Sequence, residues 1–163
     1  MVGVGTKLPD LLLFEGQPEF AKATEYSLAE LTKGKTVVIF AVPGAFTPGC
    51  SKSHLPSFIA GFDALTAAGV ELVICTATND PYVMEAWGRE AGVKPGTILM
   101  LSDKSAALCR ALGVASEADP MVRSDRYALI AKDGVVTAWL PAAMPDGEKK
   151  SENTYCPAVL AAL

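Results

Sequence analysis

TVVIFAVPGAFTPGC, residues 36–50, is the stretch on which the reading of this chain turns. Its first five residues are apolar or β-branched without alternation, the pattern of a strand buried on both faces. From Thr47, a hydroxyl residue and a proline precede the next apolar run, which is how helices start. Cys50 therefore falls in the first turn of a helix, at the carboxyl end of a strand. Reaction sites of open α/β sheets favour that edge. Unpaired N–H groups and the helix dipole stabilise an anion there, which for cysteine is the thiolate. Thr47 offers a hydroxyl three residues away, and Pro43 and Pro48 stiffen the loop. A second local reading stays open, in which Thr47 is only an N-cap and Cys50 a small buried apolar residue.

Working outward, Ser27 and Glu30 form a capping-box pattern with Gly34 as a stop, so a short helix precedes the first strand. Leu55, Phe58, Ile59, Phe62 and Leu65 recur at helical spacing after it, with Pro56 predicting a kink or irregular turn. Residues 70–78, VELVICTAT, read as a second buried strand. Asn79-Asp80-Pro81 then opens a helix through Met84 and Trp87 to about Ala91. TILML, 97–101, is a third strand, and 105–114 a short helix ending at Gly113. RYALIAKDGVVTAWL reads as two strands around Asp133-Gly134, a strong hairpin signal. A last helix is expected from Pro157. The order β-α-β-α-β-α, then a hairpin and a helix, predicts a three-layer α/β fold with a mostly parallel sheet. Helices flank it, and the hairpin in the C-terminal half extends one edge.

The length of 163 residues suits a single domain over 1–163 with a substantial core. Half of the residues are hydrophobic and the formal charge is −4, which argues against a nucleic-acid surface. No run approaches the ~20 apolar residues of a membrane span, and the first residues lack a secretory pattern. Four cysteines, one histidine and no CxxC favour free thiols in a reducing compartment over disulfides or a metal centre. The expected location is the cytoplasm, or an organelle if a transit peptide has been removed.

Residues 43–58, PGAFTPGCSKSHLPSF, resemble the active-site segment PGAFTPTCSxxHLPxF of the type II, or peroxiredoxin-five-like, peroxiredoxins. NDPYVMEAW at 79–87 is similar to that family's NDPFVMxAW, and RYALIAKDGVV at 126–136 resembles it too. The likeness runs through nearly the whole chain in the same order. It implies a thioredoxin-like fold, in agreement with the strand order. It also implies that Cys50 is the peroxidatic cysteine, attacking the peroxide O–O bond and becoming a sulfenic acid. Thr47 matches the threonine that hydrogen-bonds thiolate and peroxide, and Pro43 the proline that shields the site. Arg126, eight residues before Gly134, matches the arginine that holds the thiolate and polarises the O–O bond. Backbone N–H groups at Gly44 and Cys50 would complete the cradle. Arg123 and Arg110 compete for the arginine's part, and both are expected to be structural or solvated. Two departures stand out: Gly49 where the family has threonine, which loosens the loop, and Ser57 where it has glycine, a small change.

His54 lies four residues beyond Cys50, on the same helical face. No third group is evident to orient its imidazole, so the resemblance makes it supporting rather than a base. A second thiol must capture the sulfenic acid. Cys75, ending the second strand, matches the plant members' second cysteine and is favoured over Cys156 near the C terminus. Resolution by an external thiol stays open, and Cys109 is expected in the core. The function expected is a thiol-dependent, antioxidant peroxidase acting on hydrogen peroxide and small alkyl hydroperoxides. Its reductant would be glutaredoxin with glutathione, or thioredoxin, and no metal, haem or flavin cofactor is implied. A homodimer contact is expected at Phe46 and the 79–87 segment. The alternative is a peroxide sensor or redox-regulated binding protein using the same Cys50.

Overall fold

Three parallel strands carry the centre of the molecule: β3 (Thr36–Ala41), β4 (Leu72–Ala77) and β5 (Ile98–Ser102). In the computed structural model, which describes residues 1–118 and 120–163, they lie inside a seven-stranded sheet. Its order is β2-β1-β5-β4-β3-β8-β9. β1 (Leu12–Glu15) and β2 (Thr24–Ser27) form an antiparallel pair on the β5 side. The sequence pattern gave no strand there: Leu12 is exposed and TEYS shows no apolar alternation. β6 (Ala115–Ser116) and β7 (Arg123–Ser124) make a separate two-stranded ladder. On the other edge, β8 (Tyr127–Lys132) and β9 (Val135–Pro141) add the expected hairpin. Asp133 and Gly134 both take positive φ, 48° and 76°, as a two-residue turn of the I′ type requires.

The fold is thus the three-layer α/β arrangement with flanking helices. α2 (Leu55–Ala67), α3 (Pro81–Ala91) and α5 (Cys156–Ala162) cover one face. There Leu55, Phe58, Leu65, Met84, Trp87 and Val159 close over Val38, Phe40, Val73, Cys75 and Ala128. α1 (Leu28–Thr32) and α4 (Ala107–Ala111) sit on the other face, where Leu28, Leu108 and Leu112 pack on Ile39, Ile74 and Leu129. Both helices that flank the site start as their sequences direct. Asp80 caps α3 by accepting from Val83 N–H at 2.9 Å, with Pro81 in the first turn and Gly92 (φ 89°) at its end. Ahead of α2 the chain makes a wide turn of π type, Cys50–His54, in which Leu55 N–H reaches back five residues to the Cys50 carbonyl. The irregularity expected at Pro56 lies in this turn, and the proline itself is in the first turn of α2.

Register brings the remote pieces together. β3 and β8 pair antiparallel, Phe40 opposite Ala128 and Ala41 opposite Tyr127. One step further along both strands, Arg126 lies across from Val42, where the loop to Cys50 begins. Phe40 is also opposite Cys75 on β4, so three of the named residues converge on the carboxyl end of β3.

Candidate active site

The loop from Val42 to Gly49 is held from several sides. Val42 N–H donates to the Thr76 carbonyl at 3.0 Å, and Ala45 N–H donates to Asn79 Oδ1 at 2.8 Å. Asn79 therefore clamps the loop, a role the NDP motif did not reveal. The Thr47 hydroxyl donates to the Gly44 carbonyl at 2.6 Å, closing a turn whose Phe46 has φ 63° and is 53% exposed. Arg123 donates from Nη1 to the Pro43 carbonyl at 2.9 Å. It stands in β7 against the loop, so its place is structural rather than solvated. A Cβ at position 44 would collide with the Arg123 guanidinium, so a larger residue there would displace the arginine from the Pro43 carbonyl. Arg110 lies at the surface and pairs with Glu117 at 3.0 Å.

Cys50 is 1% exposed at the head of the wide turn. Arg126 reaches it: Nη2 is 3.1 Å from Cys50 Sγ, and Nη1 is 2.7 Å from His54 Nδ1. A guanidinium has no acceptor, so Nδ1 must accept and the ring proton sits on Nε2. Nε2–H then donates to the Thr154 carbonyl at 3.0 Å, with Thr154 Oγ1 also 3.3 Å away. Phe40, Phe58 and Tyr155 surround the imidazole with centroids at 5.0, 5.6 and 5.1 Å. Burial, and then the Arg126 charge, push the His54 pKa down to about 3, against the pull of the Thr154 carbonyl. The histidine is neutral, its one lone pair is taken, and it cannot serve Cys50 as a base. Thr154 is the orienting group that sequence could not identify, because a backbone carbonyl carries no residue signature.

Trp87 extends the support by donating from Nε1 to Ser51 Oγ at 3.0 Å, tying α3 to the residue after Cys50. Gly49 has ordinary helical angles (φ −64°, ψ −38°). A Cβ there would stand 3.4 Å from Arg126 Nη2, and glycine is not demanded by the backbone. Beside Pro43 and Arg126 opens a cleft of about 330 Å3, walled by Arg123, Lys149, Ser116 and Ser151.

The other thiols are all buried. Cys75 is fully enclosed on β4; burial first, and then the charge of Cys50, raise its pKa well above the usual thiol value. Cys156 opens α5, with its pKa pushed up to about 11 by burial. A Cβ on Gly61 would collide with its sulfur, so Cys156 lies against α2 eleven residues beyond Cys50. That spacing is roughly 16 Å along a helix. Cys109 is pushed up to about 12 by burial and by Asp103, whose carboxylate accepts from the Leu108 and Cys109 N–H groups. It belongs to the core on the opposite face from Cys50. Among the described residues no group of three or more His, Cys, Asp or Glu could hold a metal ion, and no helix is long and apolar enough to cross a membrane.

A mixed, thioredoxin-like sheet with a buried cysteine under an arginine at its carboxyl edge defines a class of thiol-chemistry domains, and comparison narrows it. Residues 4–155 match the Redoxin family. The chain is 47% identical over 140 residues to Peroxiredoxin-2E-2, chloroplastic, of Oryza sativa subsp. japonica, covering 83% of this chain and 62% of that protein. It is 41% identical over 139 residues to Peroxiredoxin AHP1 of Chaetomium thermophilum, covering 85% and 77%. The crystal structure of reduced Prx3 from Vibrio vulnificus in complex with H2O2 superposes with a TM-score of 0.87 at 38% identity, covering 99% of both chains. The chain belongs to the Redoxin family and, within it, to the type II peroxiredoxins. It spans less than two thirds of the length of the chloroplastic relatives it matches.

The buried histidine gives a pH signature. In the unfolded chain His54 protonates near its ordinary value of about 6.5. In the folded chain it resists protonation to about 3. Between those values the unfolded state binds more protons, so stability is lost as pH falls through that window. Thermal melts from neutral to acid pH are expected to show this decline, and His54→Asn, which keeps an acceptor toward Arg126, to flatten it. An identical acid limb in the variant would mean that other groups carry the loss.

Proposed function

We propose that this protein is a thiol peroxidase whose peroxidatic group is Cys50. The observation that carries the reading is Arg126 Nη2 at 3.1 Å from Cys50 Sγ at the head of a helical turn, a charge-assisted contact that favours thiolate. The thiolate attacks one peroxide oxygen and the O–O bond breaks. Sulfur becomes a sulfenic acid, and the departing oxygen takes the proton the thiol gave up, leaving as water or an alcohol. Arg126 holds the sulfur and the developing negative charge in one grip. Thr47, with its proton committed to Gly44, keeps lone pairs to accept from the peroxide O–H, while N–H groups at Gly44 and Cys50 complete the cradle. Pro43, fixed through its carbonyl by Arg123, walls the site. Hydrogen peroxide and small alkyl hydroperoxides suit so enclosed a sulfur. The similar Vibrio vulnificus protein was crystallised with H2O2.

For the resolving step we infer Cys75. Cys75 and Cys156 both belong to the core face that Cys50 shares, but Cys75 lies near enough for the Cys50 charge to act on it, whereas the Cys156 sulfur rests against Gly61 of α2. Cys75 is enclosed, so the bond needs the 50–54 turn to open. An external thiol, glutathione with glutaredoxin or a thioredoxin, then restores both cysteines. The compartment is a reducing one, cytoplasmic or organellar, in keeping with four free thiols and the chloroplastic relatives. Exposed Phe46 and Tyr82 form the face through which two copies pair.

Peroxide consumption with dithiol should vanish in Cys50→Ser and fall roughly 10²-fold in Arg126→Gln, where one oriented donor is lost. Undiminished turnover in Cys50→Ser would sink the assignment. Peptide mapping after one equivalent of hydrogen peroxide is expected to find Cys50 linked to Cys75. A Cys50–Cys156 link, or sulfenic acid without any link, would overturn that choice of partner. Tagged and untagged copies should co-elute after mixing, and Phe46→Asp should abolish it; monomers throughout would refute the pairing.

A further inference from the structure

Ser57 replaces the glycine of the resembling family, and in this chain it is far from a small change. Its hydroxyl donates to the His54 carbonyl at 2.7 Å and accepts from the Cys156 N–H at 3.1 Å. It therefore caps α5 from a neighbouring helix, since α5 has no side-chain cap of its own. Two residues earlier on the same segment, the Thr154 carbonyl takes the proton of His54 Nε2. Two residues further along α2 than Ile59, Gly61 receives the Cys156 sulfur with no Cβ between. The start of α2 and the start of α5 are thus laced at three points: His54 to Thr154, Ser57 to Cys156, and Gly61 to Cys156.

The lacing ends on the reactive sulfur. His54 can accept from Arg126 only while its proton is on Nε2, and the Thr154 carbonyl is what keeps it there. Arg126 divides its two terminal nitrogens between His54 and Cys50. We propose that residues 154–156, clamped by Ser57, form a brace that fixes the His54 tautomer and through it aims Arg126 at Cys50, making Ser57 a positioning residue. The inference rests on the peroxidatic reading of Cys50. No proton or electron passes along the brace: it lowers the freedom of a guanidinium that a long side chain would otherwise lose on binding thiolate. Charged or titratable side chains around the sulfur include Arg126 ahead of β8, Cys75 on β4 and His54 on the same turn, and the Ser57 hydroxyl bonds to the His54 backbone carbonyl rather than to its ring.

The chain has one histidine, so its ring nitrogens can be followed directly after 15N labelling. In the wild-type protein one ring nitrogen, Nε2, should be protonated and Nδ1 not, unchanged from neutral to mildly acid pH. In Ser57→Gly the ring signals should shift or broaden, and Cys50 alkylation in mildly acid buffer should slow roughly threefold, as half a pH unit in its profile would give. Ser57→Thr, which restores a hydroxyl, should recover both. A wild-type ring protonated on Nδ1 overturns the brace. So does a folded Ser57→Gly protein with a lowered Tm but unchanged ring signals and alkylation, since Ser57 would then cap α5 and nothing more. Peroxide turnover surviving in Cys50→Ser would remove the peroxidase reading instead, and the ring signals would still decide the brace.

Discussion

The antiparallel register of β3 on β8 is the constraint from which the site follows. Ala41 opposite Tyr127 puts Arg126 just beyond the end of the ladder, across from the loop that leads to Cys50. A slip of one residue would turn the arginine to the other face of the sheet, away from the sulfur, because strand side chains alternate. Asp133, which accepts from Gly34 N–H and donates its own N–H to the Lys35 carbonyl, and the apolar residues Ala128 and Ile130, buried on the face that Cys50 shares, hold that register. The placement of Arg126 against Cys50 is in this sense specified by strand contacts remote from the cysteine in sequence.

Charge at the site is managed with one cation and one neutral ring. The Arg126 guanidinium faces a sulfur and an imidazole nitrogen, and the imidazole accepts its hydrogen bond without adding charge. A protonated histidine in that place would repel the arginine and compete for its burial. Burial among the aromatic rings, and then the Arg126 charge, keep it neutral against the pull of the Thr154 carbonyl, so no second positive charge is placed beside the guanidinium. Burial raises the pKa of the other three thiols and so holds them in their protonated form.

Much of this was legible in the chain itself. The strand of residues 36–41, the helix start near Thr47 and the hairpin are local signals, and each stands where the pattern put it. Arg126 is reached through the family resemblance, which places its arginine eight residues before Gly134. What escaped the sequence were contacts made through backbone atoms or between distant segments. Thr154 serves His54 through a carbonyl, Asn79 clamps Ala45 through a side chain that reads as a turn residue, and Arg123 grips Pro43 from a two-residue strand. Strand β2, four partly exposed residues paired only to β1, has no pattern to betray it.

Pro56 has one more consequence. Lacking an N–H, it cannot donate to the turn that precedes it, so the hydrogen-bonded ladder is already interrupted between the wide turn and the body of α2. Unwinding that begins at Cys50 meets a ready-made stop there, and the rest of the helix keeps its packing on the sheet. The six residue-to-residue steps from Cys50 to Pro56, at about 3.3 Å per extended residue, would span roughly 20 Å if drawn out. Were the turn to open, the Cys50 sulfur would stay tethered at Pro56 to a helix whose packing on the sheet does not depend on that turn.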